Sequence, residues 1–167
     1  MVTLRDNRLT ALEAGTVDAA LLGVPENIIA VEKGYNELLF VGDILSFPQN
    51  GFGASVKKIQ DNPEEVYGMV RATLRGFLFS LEPRNRDEVI GIIMKQWRLN
   101  DRRLAGEMLK QFGRGIIRDM SVKPEGMQLM IDLVREDSKV AQPFNVAQVV
   151  DYSFLERARR ELGVTKP

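Results

Sequence analysis

The sequence predicts an α/β fold in which a small parallel βαβ piece is followed by a helical array. Two observations carry this prediction. Up to about residue 55, short apolar runs of strand length alternate with helical patterns. Beyond that point, apolar residues recur every three or four positions, as they do along one face of a helix. A strand, a helix and a second strand joined by brief loops are most easily accommodated by parallel pairing through a right-handed crossover.

Four elements make up the predicted first part of the chain. A helix over 3–15 precedes a strand-length apolar run, 17–23. A second helix is predicted over 25–34, because Pro25 is a typical first-turn residue. The apolar run 36–44 then predicts a second buried strand. Since fewer than about three strands rarely form an independent sheet, this piece is expected to need neighbouring strands.

The stretch 46–55, SFPQNGFGAS, is rich in proline and glycine and separates the two predicted parts. It is expected to be turn-like or extended, either as a tight hairpin turn at Asn50-Gly51 or as a connector between two bodies. A short helix or strand is predicted over 145–150. Longer helices are predicted over 62–81, 85–99, 101–113, 123–136 and 151–163.

The composition excludes several classes of function. The chain has no cysteine and no histidine, which removes thiol nucleophiles, disulfides, imidazole bases and imidazole metal ligands. Its 23 basic residues equal its 23 acidic residues in number, so no overall field attracts nucleic acid. No spacing isolates a nucleophile together with a base. We therefore expect no enzyme activity, no metal, no cofactor and no nucleic-acid partner.

Three stretches carry a resemblance to one protein family. Residues 11–43, ALEAGTVDAALLGVPENIIAVEKGYNELLFVGD, resemble the second-lobe segment of periplasmic solute-binding proteins of ABC transporters, of the nitrate, sulfonate, taurine and thiamine-pyrimidine type. Residues 53–76, GASVKKIQDNPEEVYGMVRATLRG, are similar to that family's return segment, and residues 143–163 to its closing stretch. The resemblance covers almost the whole chain and corresponds to the back half of a family member. It implies a partial type II periplasmic-binding-protein fold.

The resemblance also implies a domain organisation and a function. Residues 1–46 would be a second-lobe α/β segment, 47–55 the return hinge, and 56–167 a helical segment that covers lobe one and the hinge. The full-length protein would capture a sulfonate, nitrate, taurine or pyrimidine-like solute in an interlobe cleft and deliver it to an ABC permease in the membrane. Its location would be periplasmic or extracytoplasmic and membrane-associated, although this chain has no signal-peptide pattern.

The candidate ligand-binding residues follow from the cleft that the resemblance implies. A loop at a helix start offers free N–H groups, which suit an anion. The carboxylate of Glu26 would repel a simple anion and would rather suit an amine or a hydroxyl-rich solute. An ordinary turn between a strand and a helix explains the same loop. The loop candidates are Gly23, Val24, Pro25, Glu26 and Asn27.

Three further candidates, Asp43, Phe47 and Asn50, flank the predicted hinge. They either face the cleft or form turns, and Phe47 either stacks on a flat ligand or belongs to the core. Arg114 and Arg118 lie one helical turn apart and either hold an anion or lie on the surface.

Two other functions stay open. One is an enzyme or cytosolic sensor on the same fold, such as a pyrimidine-precursor synthase, although the lack of histidine argues against a synthase that uses histidine metal ligands. The other is a truncated, non-binding chain that self-associates through exposed apolar surface. If the predicted strands lack neighbours, we expect the isolated chain to be a dimer or larger.

Overall fold

The computed structural model describes residues 8–45, 48 and 50–164. These residues are 64% helical and contain no strand. The predicted α/β fold with a parallel βαβ piece is therefore wrong, and the described chain is all-α. Its α-helices are α1 (Arg8–Glu13), α2 (Glu26–Glu32), α3 (Val56–Asp61), α4 (Pro63–Leu81), α5 (Arg86–Trp97), α6 (Arg102–Gly115), α7 (Pro124–Asp137), α8 (Val146–Val149) and α9 (Ser153–Leu162).

The two predicted strands are irregular chain in the structure. Residues 17–23 have no regular secondary structure, and 36–44 contain only a 3-10 turn, Val41–Asp43. An apolar run shows that a segment gains by burial, but a strand also needs a neighbour to complete its backbone hydrogen bonds. The described residues supply no such neighbour. Leu21 is 65% exposed and Leu38 83% exposed, so these runs are not buried either.

Most of the predicted helices are confirmed. Helix α4 begins at Pro63, where the missing N–H costs nothing, and α9 ends at Gly163 in the left-handed conformation with φ 66°. The open assignment over 145–150 resolves as α8, which Asn145 caps in a capping box. Helix α3 was not predicted, although Ser55 marks its start by accepting a hydrogen bond from the Lys58 N–H.

The first compact unit takes the described residues up to Phe40 together with Asp87–Gly115. Its core lies between α2, α5 and α6, whose apolar faces supply the buried side chains. Partly buried Val24 and Leu104 pack against that core. The buried residues are Ile28, Val89, Ile90, Ile93, Ala105 and Met108.

The second compact unit takes Val41–Arg86 and the described residues from Ile116 onwards. Its core joins α4 to α9 around Tyr67, Leu74 and Ala158, which are buried. Each unit therefore combines chain from before and after the predicted connector. The predicted division into 1–46, 47–55 and 56–167 stays a prediction.

Candidate functional site

The loop Gly23–Asn27 leads from irregular chain into α2, as the sequence predicts for the start of this helix. The Asn27 N–H donates to the Gly23 carbonyl at 2.9 Å, and the Val24–Pro25 peptide bond is cis. Val24 packs against the first core, to which the buried Ile28 belongs. The loop is therefore anchored by apolar contacts on both sides of Pro25, Glu26 and Asn27, which are partly buried.

Asn27 carries an unusual feature in this loop. Its side-chain oxygen Oδ1 is buried and accepts no hydrogen bond from any residue that the structure describes. Leaving a buried acceptor unpaired costs about 1–3 kcal/mol, which a donor from water or from a ligand would offset. Four other buried polar side-chain atoms of the described residues also have no hydrogen-bond partner. A hydrogen-bond donor on a molecule bound at this loop would satisfy the Asn27 oxygen.

The remaining predicted site residues lie elsewhere in the chain. Asp43 ends the 3-10 turn and Asn50 lies in irregular chain, and both are exposed. They belong to the second unit, whereas the loop Gly23–Asn27 belongs to the first. Phe47 lies outside the described residues. The structure thus brings five of the eight predicted residues together in one loop, which the sequence itself makes contiguous.

The two arginines that the sequence places one turn apart belong to different units. Helix α6 ends at Gly115, so the residues fall on either side of a helix end. Arg114 pairs with Glu37 at 2.8 Å and lies over the Phe40 ring, 4.1 Å from its centroid. Arg118 pairs with Glu82 at 3.0 Å. Each guanidinium therefore already has a carboxylate partner.

The second unit contains a cavity that the sequence analysis missed. It is open to solvent, has a volume of about 580 Å³, and lies at the carboxyl-terminal ends of α4 and α9. Chain on either side of Arg118 completes its wall. This volume is within the range of small-molecule sites, about 300–1,000 Å³. The polar lining residues are Glu82, Arg84, Asn85, Arg118 and Asp119.

Asp119 and Arg159 form a buried charge pair behind this cavity. The Asp119 side chain is 2% exposed, and the Arg159 guanidinium lies 3.7 Å from its Oδ2. Arg159 Nε also donates to the Asp119 carbonyl at 2.7 Å, and the Ser121 N–H donates to Asp119 Oδ1 at 3.0 Å. Burial acts to raise the pKa of Asp119, but the bonds from Ser121 and the Arg159 charge outweigh it, and the net pKa is lowered.

A polar network joins α4 to α9 in the same unit. The Tyr67 hydroxyl donates to Glu161, which also accepts from Arg71 Nε at 2.5 Å. Arg157 donates to both carboxylate oxygens of Glu64, at 2.6 and 3.0 Å, and its guanidinium lies 3.7 Å from the Tyr67 ring centroid. This geometry combines a bidentate ion pair with a cation–π contact, so it fixes how α9 lies on α4.

The network makes the stability of the second unit depend on pH. Bonding to Arg157 lowers the pKa of Glu64, and the bond from Tyr67 lowers the pKa of Glu161. A carboxyl group with a lowered folded-state pKa stabilises the fold fully above its unfolded pKa, about 4.3, and progressively less as pH falls through the folded value. We expect the urea concentration at the unfolding midpoint to decrease as the pH is lowered below about 4.5. The Glu161→Gln variant is expected to show a smaller decrease over the same pH range.

Glu136→Gln is the matched control for this pH series, because Glu136 is exposed on α7 and no described residue pairs with its side chain. It is expected to leave the pH profile unchanged. Identical profiles for Glu161→Gln and the unsubstituted chain between pH 3 and about 7 would contradict the role of the network. The effect is expected to be modest, because exposed ion pairs contribute little in water.

Comparisons with known proteins give no relative for this chain. No family model matches it, and neither the curated proteins nor the solved structures yield a match. Among the described residues, none of the helices has the length and apolar character needed to cross a membrane. The described residues also contain no group of three or more acidic side chains placed to hold a metal ion.

Proposed function

We propose that the chain is part of the solute-binding component of an ABC-type uptake transporter, which captures a small molecule and delivers it to a membrane permease. The order and spacing of the stretches 11–43, 53–76 and 143–163 support the proposal. Because the described chain is all-α, the proposal does not rest on a sheet. It rests on the loop at the start of α2, where the resemblance implies that the solute binds.

The unpaired oxygen of Asn27 is the observation that carries the proposal. A buried acceptor without a donor lies at the position that the resemblance assigns to ligand binding. Glu26, the residue before Asn27, is partly buried and adds a carboxylate that favours a hydrogen-bond donor on the solute. The two side chains together favour a solute that carries an ammonium or hydroxyl group. Of the solutes implied by the resemblance, taurine has an ammonium group, whereas nitrate has no donor.

The mechanism needs binding and no covalent chemistry. A transport receptor works when the solute stabilises one conformation more than another, so that the population shifts towards the bound form. At this loop the difference would come from the hydrogen bond to the Asn27 oxygen, which has no donor among the described residues and would gain one from the bound solute. The permease would then recognise the conformation that the solute stabilises.

Asn27→Ala is expected to weaken binding of the solute about tenfold, because one buried hydrogen bond contributes roughly 1–1.5 kcal/mol. The measurement is isothermal titration of the full chain with taurine, nitrate, an alkanesulfonate and a pyrimidine, after a thermal-shift screen. A ligand that binds the folded form raises the melting temperature by linkage.

Asn100→Ala serves as the control in the same unit, because Asn100 is an exposed asparagine in irregular chain. The Asn100→Ala variant is expected to bind the solute with the same affinity as the unsubstituted chain. Failure of every solute in the panel to shift the melting temperature would contradict the proposal. Equal weakening by both alanine variants would remove Asn27 from the site.

A further inference from the structure

We infer that the cavity at the ends of α4 and α9 binds a small amphipathic carboxylate, with its anionic group at Arg84 and its apolar body on the cavity wall. This site lies within the second unit, apart in sequence from the loop at α2. It is independent of the proposed transport function, so either one can fail without the other.

The cavity wall is mainly apolar and partly open to water. Phe79 is 38% exposed and Ile117 is 45% exposed, although both line a concave surface. An alkyl chain that covers them gains about 25 cal/mol for each Å² of apolar surface removed from water. The apolar lining residues are Leu78, Phe79, Ile117, Leu162 and Val164.

The charges of the lining leave one cation without a partner. Arg118 pairs with Glu82, and the buried Asp119 pairs with Arg159 behind the wall. The exposed side chain of Arg84 forms no hydrogen bond or ion pair with any residue that the structure describes. A guanidinium presents two parallel N–H donors that match the two oxygens of a carboxylate.

The turn that carries Arg84 is held in place at the end of α4. The Phe79 carbonyl accepts from the Glu82 N–H at 3.3 Å and from Asn85 Nδ2 at 2.9 Å. These bonds satisfy a carbonyl that the helix end leaves free. Arg84, which lies between the two donors, therefore projects from a fixed backbone at the rim of an apolar cavity. This is the arrangement that recognises one charged group attached to an apolar chain.

The opposite ligand charge fits poorly. A cation would have to bind the carboxylates of the lining, Glu82 and Asp119. Glu82 binds the Arg118 guanidinium through Oε1 at 3.0 Å, and Asp119 Oδ2, which accepts no hydrogen bond from the described residues, is shielded from solvent and lies 3.7 Å from the Arg159 guanidinium. A cation would therefore compete with Arg118 and Arg159 for these carboxylates, whereas the Arg84 guanidinium has no carboxylate partner among the described residues and favours an anion.

The test uses octanoate as the probe, titrated calorimetrically into the full chain. Arg84→Gln is expected to weaken octanoate binding about tenfold, while Arg75→Gln, an exposed arginine on α4 outside the cavity, leaves it unchanged. Octylammonium is expected to bind at least tenfold more weakly than octanoate to the unsubstituted chain. A common response of both arginine variants, or equal binding of the two probes, would overturn the inference.

Discussion

Replacement of Leu74 by alanine is expected to lower the free energy of unfolding by about 3 kcal/mol, within the usual range of about 2–5 kcal/mol for a buried leucine. Leu74 lies at the centre of α4 and is 0% exposed. It packs with Tyr67 and Ala158, so its truncation leaves a cavity between α4 and α9. Partly buried apolar side chains, among them Phe154 and Leu155, also pack against this cluster, so the truncated side chain loses contacts in a close-packed environment.

Met69→Ala is the matched control for Leu74→Ala. Met69 lies on the same helix but is 57% exposed, so its loss is expected to change the free energy by less than about 0.5 kcal/mol. Urea unfolding followed by far-ultraviolet circular dichroism measures both variants. Similar costs for the two substitutions would mean that α4 is not packed through Leu74.

The helical part of the fold was predictable because periodicity reports a buried face. Val66, Val70, Leu74 and Phe77 recur at helical spacing, and Leu74 proves to be the most buried of them. Pro63 and Gly163 mark helix ends through backbone chemistry alone. These signals are local, so a single sequence is enough to read them.

The two predicted strands are wrong because an apolar run alone does not show that a segment is a strand. The sequence of an apolar run such as 17–23 or 36–44 does not show which other segment would pair with it. A strand forms only when another segment completes its backbone hydrogen bonds. Leu38 illustrates the difference, because it belongs to the apolar run 36–44 and is 83% exposed. The strand prediction failed because it inferred the pairing of two strands from their apolar residues alone.

The candidate sites also differ in how far local sequence signals could predict them. The loop Gly23–Asn27 is contiguous, so a motif finds it, although no motif shows that the Asn27 oxygen is unpaired. The cavity draws on α4, α9 and the chain around Asp119, which are distant in sequence. One local signal was available: Arg159 follows Leu155 by four positions and therefore lies on the apolar face of α9.

Arg159→Met is expected to cost about 3–5 kcal/mol, because it leaves the Asp119 carboxylate buried without its cation. Methionine keeps much of the apolar stem of arginine but cannot donate to the Asp119 carbonyl. Arg160→Met is the control, since Arg160 is the exposed neighbour on the same helix. It is expected to change the free energy of unfolding by less than about 0.5 kcal/mol.

The double variant Asp119→Asn with Arg159→Met separates the charge from the packing. If the cost comes from the unpaired carboxylate, removal of that charge restores a large part of the lost stability, although Asp119→Asn alone is destabilising. Because the pKa of Asp119 is lowered in the folded chain, its contribution is present above the unfolded pKa and is lost as pH falls through the folded value. The excess cost of Arg159→Met should therefore shrink in acid, where the carboxyl becomes neutral. Urea unfolding at pH 7 and at about pH 3 measures this, and an equal cost at both values would show that Arg159 acts by packing alone.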